Sequence, residues 1–143
     1  MRQTSLSILV LVLGLGLVAS LLTASAEDDK KKSPRLFELR TYTTAPGKLD
    51  ALHARFRDHT NKIFVKHGMQ LVGYWTPTDD ATASNTLIYI LAYPSLEARQ
   101  ASWKGFINDP NWKKAFAESR ANGPIVTKVD SRFMKPTDYS PIK

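Results

Sequence analysis

The sequence contains no cysteine. That single absence removes disulfides, thiolate nucleophiles, cysteine-ligated zinc and a lipid-modified cysteine at a processing site. Histidine is scarce at three residues, and glycine, at seven, forms no phosphate-cradling run. There is no G-x-S-x-G, no G-x-G-x-x-G and no Walker-type loop, so nucleophile-elbow hydrolases and nucleotide-binding motifs lack their signatures. Two of the seven glycines, Gly14 and Gly16, lie in the apolar N-terminal stretch. Acid is in deficit, with 20 Lys and Arg against 13 Asp and Glu for a net charge of +7. The basic residues are scattered, and only Lys30-Lys31-Lys32 forms a block. No nucleic-acid partner is therefore expected.

What is present begins with a sorting pattern. A short basic start at Arg2 precedes a largely apolar run from Leu6 to Val18. Ala24-Ser25-Ala26 is then followed by Glu27-Asp28-Asp29. This is the layout of a cleaved secretory signal over 1–26. A retained membrane anchor is the competing reading, because Leu6 to Leu22 is about the minimum length that spans a bilayer. Cleavage after Ala26 is the expectation, giving a periplasmic or secreted protein with no stable membrane anchor. Residues 27–34 read as a flexible leader, 35–136 as one domain, and 137–143 as a C-terminal tail.

Within the domain the period of the apolar residues alternates between two and about 3.6. LFELRTY alternates as a strand. Leu49, Leu52, Phe56, Ile63 and Phe64 recur as a helix that ends at Gly68. Met69 to Thr76 and TLIYILAY are two further strands. Ser95 can cap a helix running to about Ile107, Asn108-Asp109-Pro110 interrupts it, and Trp112 to Arg120 resumes. A last strand runs from Ile125 to about Met134. The order β-α-β-β-α-β predicts an α+β, ferredoxin-like fold, a four-stranded antiparallel sheet with helices on one face.

That architecture leaves the second face of the sheet open. The alternation in the first strand places Phe37 and Leu39 under the helices, with Glu38, Arg40 and Tyr42 on the open side. The third strand is apolar on both faces, so the open face should be buried against a second copy, giving a homodimer with an internal cavity. The candidate pocket comprises Glu38, Arg40, Tyr42, His59 and Tyr89, with Tyr74 and Trp75 of the second strand. The Glu38/Arg40 pair has a plainer explanation, as same-face charges two residues apart on a strand, paired across the dimer.

The histidines are read by helix geometry. At about 100° and 1.5 Å per residue, His59 and His67 are roughly 80° apart around the axis and roughly 12 Å apart along it. No pair among His53, His59 and His67 has the i, i+4 spacing of two ligands to one metal ion, so no metal site is expected. His67 precedes the capping Gly68 and suits the exposed helix carbonyls. His59 falls between Phe56 and Ile63, as a core-edge residue or as a pocket-lining acid, base or hydrogen-bond donor. Trp103, Phe106, Trp112 and Phe116 recur along the broken second helix as packing residues.

Several separated motifs, in order, carry a resemblance. FELRTYTTAPGKLDAL, KHGM-x-x-VGYW and NTLIYILAYPSLEARQASWKGFINDPNW resemble the NIPSNAP domain over about Arg35 to Pro136. The resemblance implies a dimeric α/β-barrel. The superfamily also contains cofactor-free monooxygenases and haem-binding enzymes, while the family itself brings no settled reaction or catalytic set. Its better-known relatives are mitochondrial, with roles in vesicle handling and organelle quality control that are not carried over to an exported chain. The expectation is a dimeric binding or interaction module holding a small apolar or aromatic ligand in its barrel cavity, with no cofactor. A small barrel enzyme, such as a cofactor-independent monooxygenase or a haem-linked oxidoreductase, is the alternative.

Overall fold

In the computed structural model, residues 35–78 and 81–143 are described. The signal and leader inferred for 1–34 lie outside the described residues. Strand β1 (Leu36–Thr44) leads through a turn at Gly47 into helix α1 (Leu49–Arg55), a π-helical turn (Phe56–Thr60) and helix α2 (Asn61–Lys66). Strands β2 (Gln70–Trp75) and β3 (Thr86–Tyr93) follow, then helices α3 (Leu96–Asn108) and α4 (Pro110–Ser119), and finally β4 (Val126–Met134). The sheet order is β2-β3-β1-β4, with every pair antiparallel. This is the expected ferredoxin-like fold. No described helix is long and apolar enough to cross a membrane.

Local chemistry explains the boundaries. Gly68, at φ +79°, closes α2 in the left-handed region that glycine adopts without strain. The Ser95 side chain accepts from the Ala98 amide at 3.1 Å and caps α3. Asp109 ends α3 and caps α4, its Oδ1 accepting from the Asn111 amide at 2.8 Å, with Pro110 in the first turn. The long first helix departs from the expected continuous α-helix at its π turn. There the Thr60 hydroxyl, 1% exposed, donates to the Arg55 carbonyl at 3.1 Å. One residue is thereby added between Phe56 and Ile63, and both still reach the core.

The core lies between helices and sheet. Leu52, Phe56, Ile63 and Phe64 pack on Leu87, Tyr89, Leu91 and Tyr93, with Phe106 and Ile125 closing the ends. Truncating a side chain as buried as Phe64 costs about 3–5 kcal/mol by cavity formation and lost transfer energy.

Here the sheet corrects the sequence reading. Glu38, Arg40 and Tyr42 stand opposite Leu91, Tyr89 and Leu87, on the covered face. Phe37, Leu39 and Thr41 share the open face with Ala92, Ile90 and Ile88. The apolar alternation of β1 points outward because the covered face needs the bulky, hydrogen-bonding tyrosines of β3, and Arg99 and Trp103 of α3 satisfy the charges opposite them. At one end of the open face, residues after β4 line a shallow cleft beside Phe37, Val72 and Ile90, with Pro136 and Ile142 among them. Leu39, Ile88 and Ile90 remain part-exposed.

Candidate functional site

Two neighbouring arrangements occupy the covered side of the sheet, a charged network and an aromatic cavity. The network centres on Glu38, which is fully buried. Arg99 donates to both its oxygens, Nη2 to Oε1 at 2.8 Å and Nε to Oε2 at 3.0 Å. Arg40 pairs with Oε1, Ser131 Oγ donates to Oε1 at 2.8 Å, and Tyr93 Oη donates to Oε2 at 3.1 Å. The Trp103 indole N–H is shared between Glu38 Oε2 and Tyr93 Oη. Burial alone would raise the Glu38 carboxyl, but the donors Arg99 and Ser131 and the Arg40 charge outweigh it and hold it at about 2.

Arg40 is equally enclosed. Its Nε donates to Tyr89 Oη at 2.9 Å and its Nη2 to Tyr42 Oη at 3.4 Å, while its guanidinium lies 4.3 Å from the Trp103 ring centre. Burial pushes the Tyr89 hydroxyl well above its usual range. Every charge in this network has a partner inside the chain. The expected pairing of Glu38 and Arg40 across a dimer is therefore corrected to a pair within one chain.

The cavity lies alongside, between the sheet and the helices, with a volume of about 400 Å³. Its sheet side carries Tyr42 of β1 with Val126 and Val129 of β4. The π turn and α2 contribute Phe56, Thr60 and Phe64; α3 and α4 contribute Trp103, Phe106, Trp112 and Phe116. The rings touch in a series, Phe64 to Phe106 at 4.6 Å, Phe106 to Trp112 at 4.3 Å and Trp112 to Phe116 at 5.3 Å. Ile107, Phe116, Val129 and Arg120 are all exposed and mark where the cavity meets solvent.

Arg55 is the buried charged group in this wall. It is 5% exposed, and its guanidinium lies 5.5 Å from the ring centres of both Trp112 and Phe116. Nη1 donates to Ser119 Oγ at 3.3 Å, and Nε has no hydrogen-bond partner among the described residues. No described carboxylate pairs with it. Burial, together with the nearby Arg120 charge, lowers its pKa against a smaller opposing pull from the Tyr42 and Tyr89 oxygens.

Of the seven candidate pocket residues read from the sequence, Tyr42 alone lines this cavity; Trp103, Phe106, Trp112 and Phe116, read there as packing residues, line it too. Glu38, Arg40 and Tyr89 stand behind it in the satisfied network. Tyr74 stacks on Tyr89 with centres 5.6 Å apart, and its hydroxyl donates to Asn61 Oδ1 at 2.9 Å. Trp75 is half-exposed at the β2 edge, its ring so close to Gly73 that an added Cβ would lie 2.5 Å from it. His59 is exposed, in a groove between α1 and α4 that Ala51, Ala54 and Glu118 line together with Arg55 and Ser119. The π turn rotates it off the apolar stripe, so it is neither a core-edge residue nor part of the cavity. His67 Nε2 sits 2.9 Å from Asp109 Oδ2, which also takes Lys66 Nζ at 2.7 Å; its partner is a carboxylate and not a helix carbonyl. Gly105 makes room for the His67 ring, since a Cβ there would lie 2.5 Å from its Nδ1. Among the described residues no three His, Asp or Glu side chains cluster closely enough to share a metal ion.

Arg55 was legible as an anomaly. It falls three residues after Leu52 and one before Phe56, so a cation stands on the apolar stripe of a helix.

Comparison with known proteins gives a consistent picture. The NIPSNAP family model matches residues 37–141. A NIPSNAP family protein of unknown function from Agrobacterium tumefaciens superposes with a TM-score of 0.67 at 24% identity, over 77% of this chain and 95% of that one. An uncharacterised NIPSNAP domain protein from Burkholderia xenovorans gives 0.63 at 25% identity, over 74% and 98%. SnoaB, a cofactor-independent oxygenase from Streptomyces nogalater, gives 0.52 at 12% identity, over 76% and 99%, a likeness of fold alone. No protein of curated function matches the chain.

Proposed function

The chain belongs to the NIPSNAP family, and on that premise we propose that it is a binding module that takes a small aromatic ligand into the cavity between its own sheet and helices. The observation that carries this reading is the cavity itself. About 400 Å³ of space, walled by touching aromatic rings and open at one end, falls within the size and chemistry of small-molecule sites.

The oxygenase neighbour shares the fold and carries no argument about the site. Cofactor-independent oxygenation needs a substrate proton to be removed, and the cavity lining contains neither carboxylate nor imidazole to accept it. A haem-linked reaction is no better supplied, because His53, His59 and His67 all lie outside the lining. Binding is the better-supported function.

We also propose that two copies pair through the open sheet face. The part-exposed Leu39, Ile88 and Ile90 on central strands support this, since isolated apolar sheet faces of this kind are normally covered. Export with cleavage after Ala26 completes the proposal, and N-terminal sequencing of the secreted or periplasmic protein tests it; an intact Met1 would reject it.

Titrating the chain with 2-naphthol and following tryptophan fluorescence tests the cavity, because Trp103 and Trp112 line it. Saturable quenching that is weakened by Trp112→Ala is expected. Absence of saturation up to the probe's solubility would overturn the reading. Light scattering tests the pairing separately, and a mass of one chain at micromolar concentration would reject it.

A further inference from the structure

We propose that Arg55 is an anion anchor, and that the ligand of this cavity is a flat aromatic acid whose carboxylate meets the Arg55 guanidinium while its rings fill the aromatic wall. The proposal deepens the ligand-site reading and rests on it.

Three independent observations converge on it. First, a guanidinium 5% exposed stands without a counter-charge among the described residues, whereas the arginine of the adjacent network is fully paired. Buried cations are normally paired, because desolvation is costly unless a partner offsets it. Second, the geometry leaves one end of the guanidinium free. Ser119 holds Nη1 from one side and the faces of Trp112 and Phe116 flank the plane; Nε is enclosed, and Nη2 has no hydrogen-bond partner among the described residues. A guanidinium N–H donating to a carboxylate makes a charge-assisted hydrogen bond. Third, the lining carries two cations and no acid. Arg120 sits where the cavity meets solvent, 4.8 Å from the Phe116 ring centre. An anion entering past Arg120 meets attraction throughout, while a cationic ligand has no partner.

The π turn fixes this arrangement. Thr60 occupies the Arg55 carbonyl, and Arg55 and Thr60, five residues apart, are brought onto the same wall. In an unbroken α-helix five residues span about 500°, which would turn them roughly 140° from each other.

The experiment compares 2-naphthoate with its uncharged isostere 2-naphthamide, by calorimetry and tryptophan quenching, on the full chain and on Arg55→Met and Arg55→Lys. For the wild type, naphthoate is expected to bind at least about tenfold more tightly, the effect of one charge-assisted hydrogen bond. Arg55→Met should bind both probes alike, and Arg55→Lys should keep part of the preference because it retains charge but not the guanidinium. Equal binding of the two probes to the wild type would overturn the anchor and leave the cavity reading standing. Failure of both probes would overturn the cavity and the anchor together. A preference unchanged in both variants would assign the selectivity to Arg120 and reject the proposal. Should Arg55→Met not fold, the wild-type ratio and the Lys variant still decide.

Discussion

Arg40 and Arg55 lie on the same side of one sheet, both buried, yet they are opposites. Arg40 is surrounded by acceptors. The Glu38 carboxylate and the hydroxyls of Tyr89 and Tyr42 take its hydrogens, and its pKa is raised because those oxygens more than offset the cost of burial. Arg55 has one hydroxyl, two ring faces and an unbonded Nε, and its pKa is lowered. The first is a structural strut, in which every donor and acceptor is used within the chain. The second is a group held ready at a cost, and such a cost persists in folded proteins where something else is gained from it. The comparison separates buried charge that builds the fold from buried charge that serves a ligand.

The largest predicted effect falls on the strut. Arg40→Met should destabilise the protein by about 3–5 kcal/mol, because it strips a buried carboxylate of a partner. Urea unfolding of the variant measures this, and a loss below about 1 kcal/mol would break the comparison at its first term. Acid acts on the same network. The Glu38 carboxyl sits at about 2 in the folded chain against a usual value near 4.5. A folded pKa that is depressed gives stability that is present above the unfolded value and lost as pH falls toward the folded one. About 3 kcal/mol should therefore vanish between about pH 4.5 and pH 2. Unfolding midpoints measured across that interval give the size, and a flat profile would contradict the network.

Most of the fold was legible in the sequence, and the site was not. Periodicity located all four strands, and Ser95, Asp109 and Gly68 marked helix ends through capping chemistry that acts within a few residues. Facing was harder. In β1 the apolar alternation pointed Phe37 and Leu39 inward, but the strand's orientation is decided by partners far away in sequence, Arg99, Trp103 and Ser131, that neutralise Glu38. Alternation reports two faces and not which one the helices cover, least of all where the opposing strand is apolar on both. The residues of the cavity were misread for a different reason. Trp112 and Phe116 fit a packing stripe, and packing aromatics and cavity aromatics have the same spacing. The π turn carries no pattern of its own, yet it moves His59 outward and Thr60 inward.

The two smallest predictions test the second half of the comparison. Arg55→Met, without ligand, should change stability by less than about 1 kcal/mol or raise it, since an apolar side chain removes a desolvated charge at the expense of one hydrogen bond and two ring contacts. Thermal unfolding of this variant beside Arg40→Met gives the contrast directly: a comparable loss in both would make Arg55 a second strut. His59→Gln supplies the baseline. Its side chain is exposed in the groove between α1 and α4, beside Ala51, Ala54 and Glu118, and belongs neither to the network nor to the cavity lining. An exposed substitution away from caps and core alters stability by no more than about 0.5 kcal/mol. Naphthoate affinity should also be unchanged. An affinity loss at His59 matching that at Arg55 would mean that the ligand reaches Arg55 from the groove that both residues line, and that the aromatic cavity is packing space.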